Sequence, residues 1–141
     1  MAKMINFETG LQEIDVNGAA TIRINPMDEG FLEELYGLLS KLEEIATETE
    51  PGEHVNLADR FDMARKRDRL MREAVDDIFG TDFCQKVFGD SRLFALSGGL
   101  TLIENFLYGV LDYMDDDLKA QQAKRNEKIA FYTAKYRKAK R

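Results

Sequence analysis

Two short runs of strict alternation flank an Asn-Gly dipeptide, and few local structures accommodate that pattern. Ile14 and Val16 alternate with Glu13 and Asp15 before Asn17-Gly18, and Ala20, Ile22 and Ile24 alternate with Thr21 and Arg23 after it. A period of two sends successive side chains to opposite faces of a strand, while Asn and Gly tolerate the positive φ of a tight turn. The spacing predicts a β-hairpin between Gln12 and Asn25. Its register follows from the faces. A two-residue turn pairs Val16 with Ala19 and puts Ile14 and Ile22 on opposite sides. A three-residue loop, Asn17-Gly18-Ala19, pairs Val16 with Ala20 and Ile14 with Ile22. The second arrangement gathers Ile14, Val16, Ile22 and Ile24 on one face and is the expected one. Two strands alone are marginal in water, so the rest of the chain must supply a surface for that face.

The surface is helical. After Asn25-Pro26, with Asp28 and Glu29 in the first turn, Phe31, Leu35, Leu38, Leu42 and Ile45 recur at steps of four and three, widened by Leu32 and Leu39. This is the stripe of an amphipathic helix. Thr49 to Asn56, with Pro51-Gly52, reads as a loop. A second helix is expected from Leu57 to Phe79, with Leu57, Phe61, Ala64, Met71, Val75 and Ile78 on one face and Gly80 in a left-handed closing position. Thr81 is expected to cap a short helix holding Phe83, Cys84, Val87 and Phe88, closed by Gly89. Ser97-Gly98-Gly99 reads as a hinge or helix start. A third long helix follows from near Leu100, with Ile103, Leu107, Val110 and Met114 on one face and Phe106 and Leu111 beside it. It runs on into a basic segment. The predicted fold is mostly α (α+β by strict count). A hairpin packs on three long helices and a short one in a single domain, 1–118, followed by a basic helical extension, 119–141.

Composition narrows the chemistry. One cysteine and one histidine, Cys84 and His54, exclude a Cys/His zinc site within one chain and leave few ways to build a nucleophile–base pair. A single cysteine also makes no internal disulfide, which fits a reducing compartment. The longest uninterrupted apolar runs are four residues, Leu93–Leu96 and Ile129–Tyr132, far short of the roughly 20 that span a bilayer. No secretory signal follows Lys3, so the expected place is the cytoplasm, with no membrane partner. Charge is unevenly spread. Residues 119–141 hold nine Lys/Arg and one Glu (+8), and residues 1–118 hold eleven against twenty-five acids (−14).

Five places are candidates for chemistry. Asp112, Asp115 and Asp116 share a helical face beside Asp117, a set able to approach a hard cation; it lacks the calcium-loop spacing, and a solvated acidic segment pairing with Lys119 and the basic tail is the plainer reading. Arg60, Arg65, Lys66, Arg67, Arg69 and Arg72 make the second helix basic enough to follow phosphates. The interleaved Asp62 and Asp68 stand four residues before Lys66 and Arg72, which fits a solvated, self-paired face. Cys84 reads as a small buried hydrophobe, and His54, in a charged loop, gets no role. The basic tail is least explained by folding. Lys128, Ile129, Tyr132, Tyr136 and Arg137 form a thin apolar stripe edged by cations and are the expected partner-binding residues; the segment could dock on an acidic partner, cover the chain's own acidic body or lie on an anionic surface, against a frayed soluble terminus as the alternative. No catalytic, cofactor or metal residues are expected.

Three stretches, EIDVNGAATIRI (13–24), FLEELYGLLSKLEEI (31–45) and EAVDDIFGTDFCQKVFG (73–89), stand in an order that resembles the tail assembly chaperones of long-tailed bacteriophages and prophages of Gram-positive hosts. The resemblance covers roughly residues 10–115 and rests on structural motifs. It implies a small helical, non-enzymatic protein that coats the long tape-measure protein while the tail tube polymerises, and that also self-associates. Such proteins are often made in two lengths by frameshifting, and this chain would be the short one. The rival expectation is a nucleic-acid-associated regulator using the Arg60–Arg72 helix and the basic tail; the acidic body disfavours nucleic acid as a partner. A third is an enzyme built on the Asp112–Asp116 carboxylates.

Overall fold

A computed structural model describes residues 1–48 and 52–139. Thr49, Glu50 and Pro51 of the expected loop, Lys140 and Arg141 of the basic tail, and the side chains of Lys138 and Ala139 lie outside the described residues. The chain divides into two compact units, Met1–Leu107 and Tyr108–Arg141.

The first unit opens with residues 1–11, which carry no regular secondary structure, and then the hairpin β1 (Gln12–Val16) and β2 (Ala20–Ile24). Ile14 faces Ile22 and Val16 faces Ala20, the register of the three-residue loop. Asn17 and Gly18 both sit at positive φ, 55° and 69°, and the Ala19 N–H closes onto the Val16 carbonyl at 3.0 Å. Ala19 is thus the extra residue that keeps the four apolar side chains on one face. The Gly18 N–H donates to Asp15 Oδ1 at 2.6 Å and fixes the turn from within β1. Ile22 and Ile24 are buried, while Ile14 and Val16 are half-buried.

Helix α1 spans Glu29–Glu48, starting later than Asn25-Pro26 suggests. Asn25 Oδ1 accepts the Met27 N–H at 2.9 Å in a local turn around the buried Pro26, and Asp28 Oδ1 accepts the Gly30 N–H at 2.8 Å. Asp28 is therefore the cap, not a first-turn residue, because its carboxylate satisfies an amide that the helix itself leaves open. Phe31, Leu35, Leu38 and Ile45 are buried, as the stripe predicts.

Helix α2 spans Leu57–Phe79, with Asn56 Oδ1 accepting the Asp59 N–H. Its apolar stripe divides in a way the periodicity does not show. Met71 and Val75 are fully buried, but Leu57 and Phe61 are exposed. The first turns of α2 stay exposed, while further along the same stripe Asp68 is buried. Gly80 ends the helix at φ 124° and ψ 154°, an extended glycine conformation and not the left-handed one expected. Helix α3 (Phe83–Phe88) is preceded by Asp82 at φ 65° with no side-chain cap, so Thr81 does not cap it. Helix α1 packs on α2, α2 on α3, and β2 reaches α3. Phe79 sits at the centre of a ring cluster, 5.4 Å from Phe83, 5.1 Å from Phe106 and 6.2 Å from Phe31.

Ser97-Gly98-Gly99 is neither hinge nor helix start. Ser97 ends the first strand and Gly98-Gly99 is the turn of a second hairpin, β3 (Leu96–Ser97) and β4 (Leu100–Thr101), with both glycines at positive φ. Two consecutive positive-φ residues are what a two-residue hairpin turn demands, and glycine adopts them without a steric cost. Helix α4 then runs from Leu102 to Ala139 without interruption at Leu118. Thr101 and Glu104 cap it reciprocally: Glu104 Oε1 accepts the Thr101 N–H at 2.9 Å and the Glu104 N–H donates to Thr101 Oγ1 at 3.2 Å. That Thr-x-x-Glu box starts the helix two residues after Leu100. Ile103 and Leu107 complete the first unit's core. In the second unit Val110 and Met114 are buried. Among the described residues, no helix is long and apolar enough to cross a membrane.

Candidate functional site: the exposed face of the C-terminal helix

The expected partner-binding residues lie in the second unit, on one continuous stretch of α4. Ile129, Tyr132 and Tyr136 recur at three and four residues and keep one side of the helix, at 46%, 52% and 55% exposure. Lys128 and Arg137 are exposed beside them. The stripe is locally ordered by its own rings. Tyr132 stacks on Tyr136 with centroids 6.3 Å apart and 10° between planes, and Phe131 meets Tyr132 edge-on at 5.1 Å. The Lys135 ammonium lies 5.5 Å from the Tyr136 ring centre, a cation–π contact. Four large apolar or aromatic side chains within eight residues therefore stand in water, edged by cations. Such a face favours an amphipathic partner with acidic margins.

The basic residues of α2 are placed differently. Arg72 is not on a solvated face. Its Nε donates to Asp68 Oδ2 at 2.9 Å, and its terminal nitrogen donates to the carbonyls of Gly89 and Ser91 at 2.8 and 2.6 Å. Asp68 Oδ1 accepts the Leu93 N–H at 2.8 Å. The acid–base pair read as solvent-facing is a buried clamp on residues 89–93, because α3 and the following loop fold over that part of α2. Asp62 pairs with Arg65 and not with the expected Lys66. Arg67 lies over the Phe94 ring at 4.9 Å, and Arg60 Nε donates to the Val55 carbonyl. Lys66 and Arg69 are exposed.

Asp112, Asp115 and Asp116 are exposed along α4, and Lys119 reaches Asp115 at 3.1 Å, which meets the Lys119 part of the plainer reading; the basic tail continues the same helix away from the acidic turns and does not fold back on them. That carboxylate holds the Lys119 ammonium above its ordinary pKa. Among the described residues, no three His, Cys, Asp or Glu side chains gather where they can hold a metal ion. Cys84 is buried as expected; its N–H donates to Asp76 Oδ1 at 2.9 Å. Burial, with the Asp76 carboxylate beside it, pushes the thiol far above the usual thiol range. His54 is exposed.

One surface escaped the sequence reading. Met1, Met4, Ile5, Phe7 and Leu11 are all exposed on the irregular arm before β1. Their lack of period hides them from a periodicity argument, and their apolar density is the signal that remains.

No protein-family profile, curated protein or solved structure matches this chain.

Proposed function

We propose that this protein is a tail assembly chaperone of a long-tailed bacteriophage or prophage, non-enzymatic, binding the tape-measure protein and keeping it soluble while the tail tube forms. The observation that carries the reading is the exposed Ile129, Tyr132 and Tyr136 face of α4 with its cationic edges. A tape measure is a long helical rod whose apolar stripes aggregate until the tube encloses them. A helix presenting rings and cations covers such a stripe by helix-to-helix packing. The sequence resemblance over roughly residues 10–115 supports the same reading independently of that face. Nucleic acid draws less support, since Arg65, Arg67 and Arg72 of α2 are engaged within the chain. The host cytoplasm is the compartment that goes with this proposal.

Co-expression with the tape-measure protein of the same phage tests it. The tape measure is expected to become soluble and to co-purify with the chain, and Tyr132→Ser combined with Tyr136→Ser to lower that recovery with helix content unchanged. A tape measure that stays insoluble at equal expression, with none co-purifying, refutes the proposal.

A further inference from the structure

The charges of α4 are sorted along its length. Asp112, Asp115, Asp116 and Asp117 precede Leu118, while Lys124, Arg125, Lys128, Lys135 and Arg137 follow it against the single acid Glu127. On a continuous helix the two groups cannot meet. Asp115 and Lys128 stand about 20 Å apart at about 1.5 Å of rise per residue. Lys119, one turn on, reaches Asp115 of the acidic run.

The apolar positions of the same segment have a second property. Leu111, Leu118, Ile129, Tyr132 and Tyr136 share one face at spacings made of threes and fours, with Gln122 and Arg125 filling the middle. Read from either end, the pattern is the same. Laying a second copy alongside in the opposite direction, with Leu118 against Ile129, also sets Leu111 against Tyr136 and Gln122 against Arg125. Asp115 then faces Tyr132, whose phenol can donate to the carboxylate. The acidic run of each copy comes beside the cationic half of the other. A parallel, in-register pair does the reverse, stacking acid on acid and Arg125 on Arg125, and like charges brought together across an interface are costly.

We propose that α4 pairs with α4 of a second copy in antiparallel order, Leu118 of each copy against Ile129 of the other. The pairing follows from the helix alone and does not rest on the chaperone reading. If both hold, the second copy and the client compete for Ile129, Tyr132 and Tyr136.

Engineered cysteines in the full chain test the order directly. Leu118 and Ile129 are both exposed, so Leu118→Cys and Ile129→Cys remove no buried side chain. Within one chain the two sites are about 16 Å apart, and so are two copies of either site in the proposed pair, whereas a disulfide needs Cα atoms within about 7 Å. The double variant is expected to form a covalent dimer on mild oxidation, each single variant to remain largely uncross-linked, and the double variant's yield to fall with added salt. Native Cys84 is buried and serves as the internal control. Single variants that cross-link as well as the double variant indicate a parallel pair and overturn the proposal. So does a double variant that yields no dimer while the unsubstituted chain sediments as a monomer at every concentration.

Discussion

Replacing Asp68 by alanine is expected to cost about 3 kcal/mol or more of folding stability, and the figure can be built from its contacts. The residue is 6% exposed, and its two oxygens serve different elements. Oδ1 accepts the N–H of the fully buried Leu93, and Oδ2 accepts from Arg72 Nε, each within 2.9 Å. Leaving a buried amide without an acceptor costs about 1–3 kcal/mol, and a hydrogen bond to a charged group contributes about 1.5–3 kcal/mol. Removing one partner of a buried ion pair costs about 3–5 kcal/mol when the other charge is stranded. Arg72 is not wholly stranded, since the Gly89 and Ser91 carbonyls still accept from it, which places the total near the lower end. Arg92, 3.6 Å away with a side chain more than half exposed, adds little. Asp68→Asn keeps an acceptor for Leu93 and is expected to cost less than Asp68→Ala. Urea unfolding followed by far-ultraviolet circular dichroism measures both. A loss below about 1 kcal/mol for Asp68→Ala lies under the range for one stranded buried group and would refute the clamp. Equal costs for the two variants would refute the role given to the Leu93 amide.

Three other measurements probe different parts of the molecule. Leu107 is fully buried, so Leu107→Ala is expected to lower stability by about 2–5 kcal/mol in the same assay, and an unchanged denaturation midpoint would contradict its place in the core. Ile22→Asp puts a carboxylate on the buried hairpin face and is expected to cost about 3 kcal/mol or more; a melting curve that does not move means that the hairpin is not packed. Cys84 has its thiol pKa raised by burial and by Asp76, so the unfolded chain gives up that proton first. Its contribution is therefore complete below the ordinary thiol range and declines as pH rises above it, and Cys84→Ala is expected to flatten the fall in stability toward alkaline pH. A thiol reagent that labels the native protein as fast as the urea-unfolded chain would contradict the burial.

The sequence alone determined whatever depends on neighbours a few residues apart. Alternation about Asn17-Gly18 defined the hairpin and its register, because a one-residue slip would throw Ile22 and Ile24 into water. Steps of three and four defined α1, α2 and the core face of α4, because 3.6 residues per turn leaves little choice about which side chains share a side. Gly98-Gly99 and Thr101-x-x-Glu104 were equally local. Their hairpin and capping chemistry stood in the sequence, but apolar periodicity does not register it. Only the tertiary structure decided what happened to each face once formed. Leu57 and Phe61 carry the same helical period as Met71 and Val75, yet they stay exposed. Asp68 and Arg72 have the spacing of an ordinary surface pair, and the chain between Phe88 and Leu93 folding across them turned that pair into a buried clamp. Ile129, Tyr132 and Tyr136 repeat the spacing of Leu107, Val110 and Met114 on the same helix. Periodicity specifies a side of a helix, and burial depends on whether another part of the chain arrives to cover it.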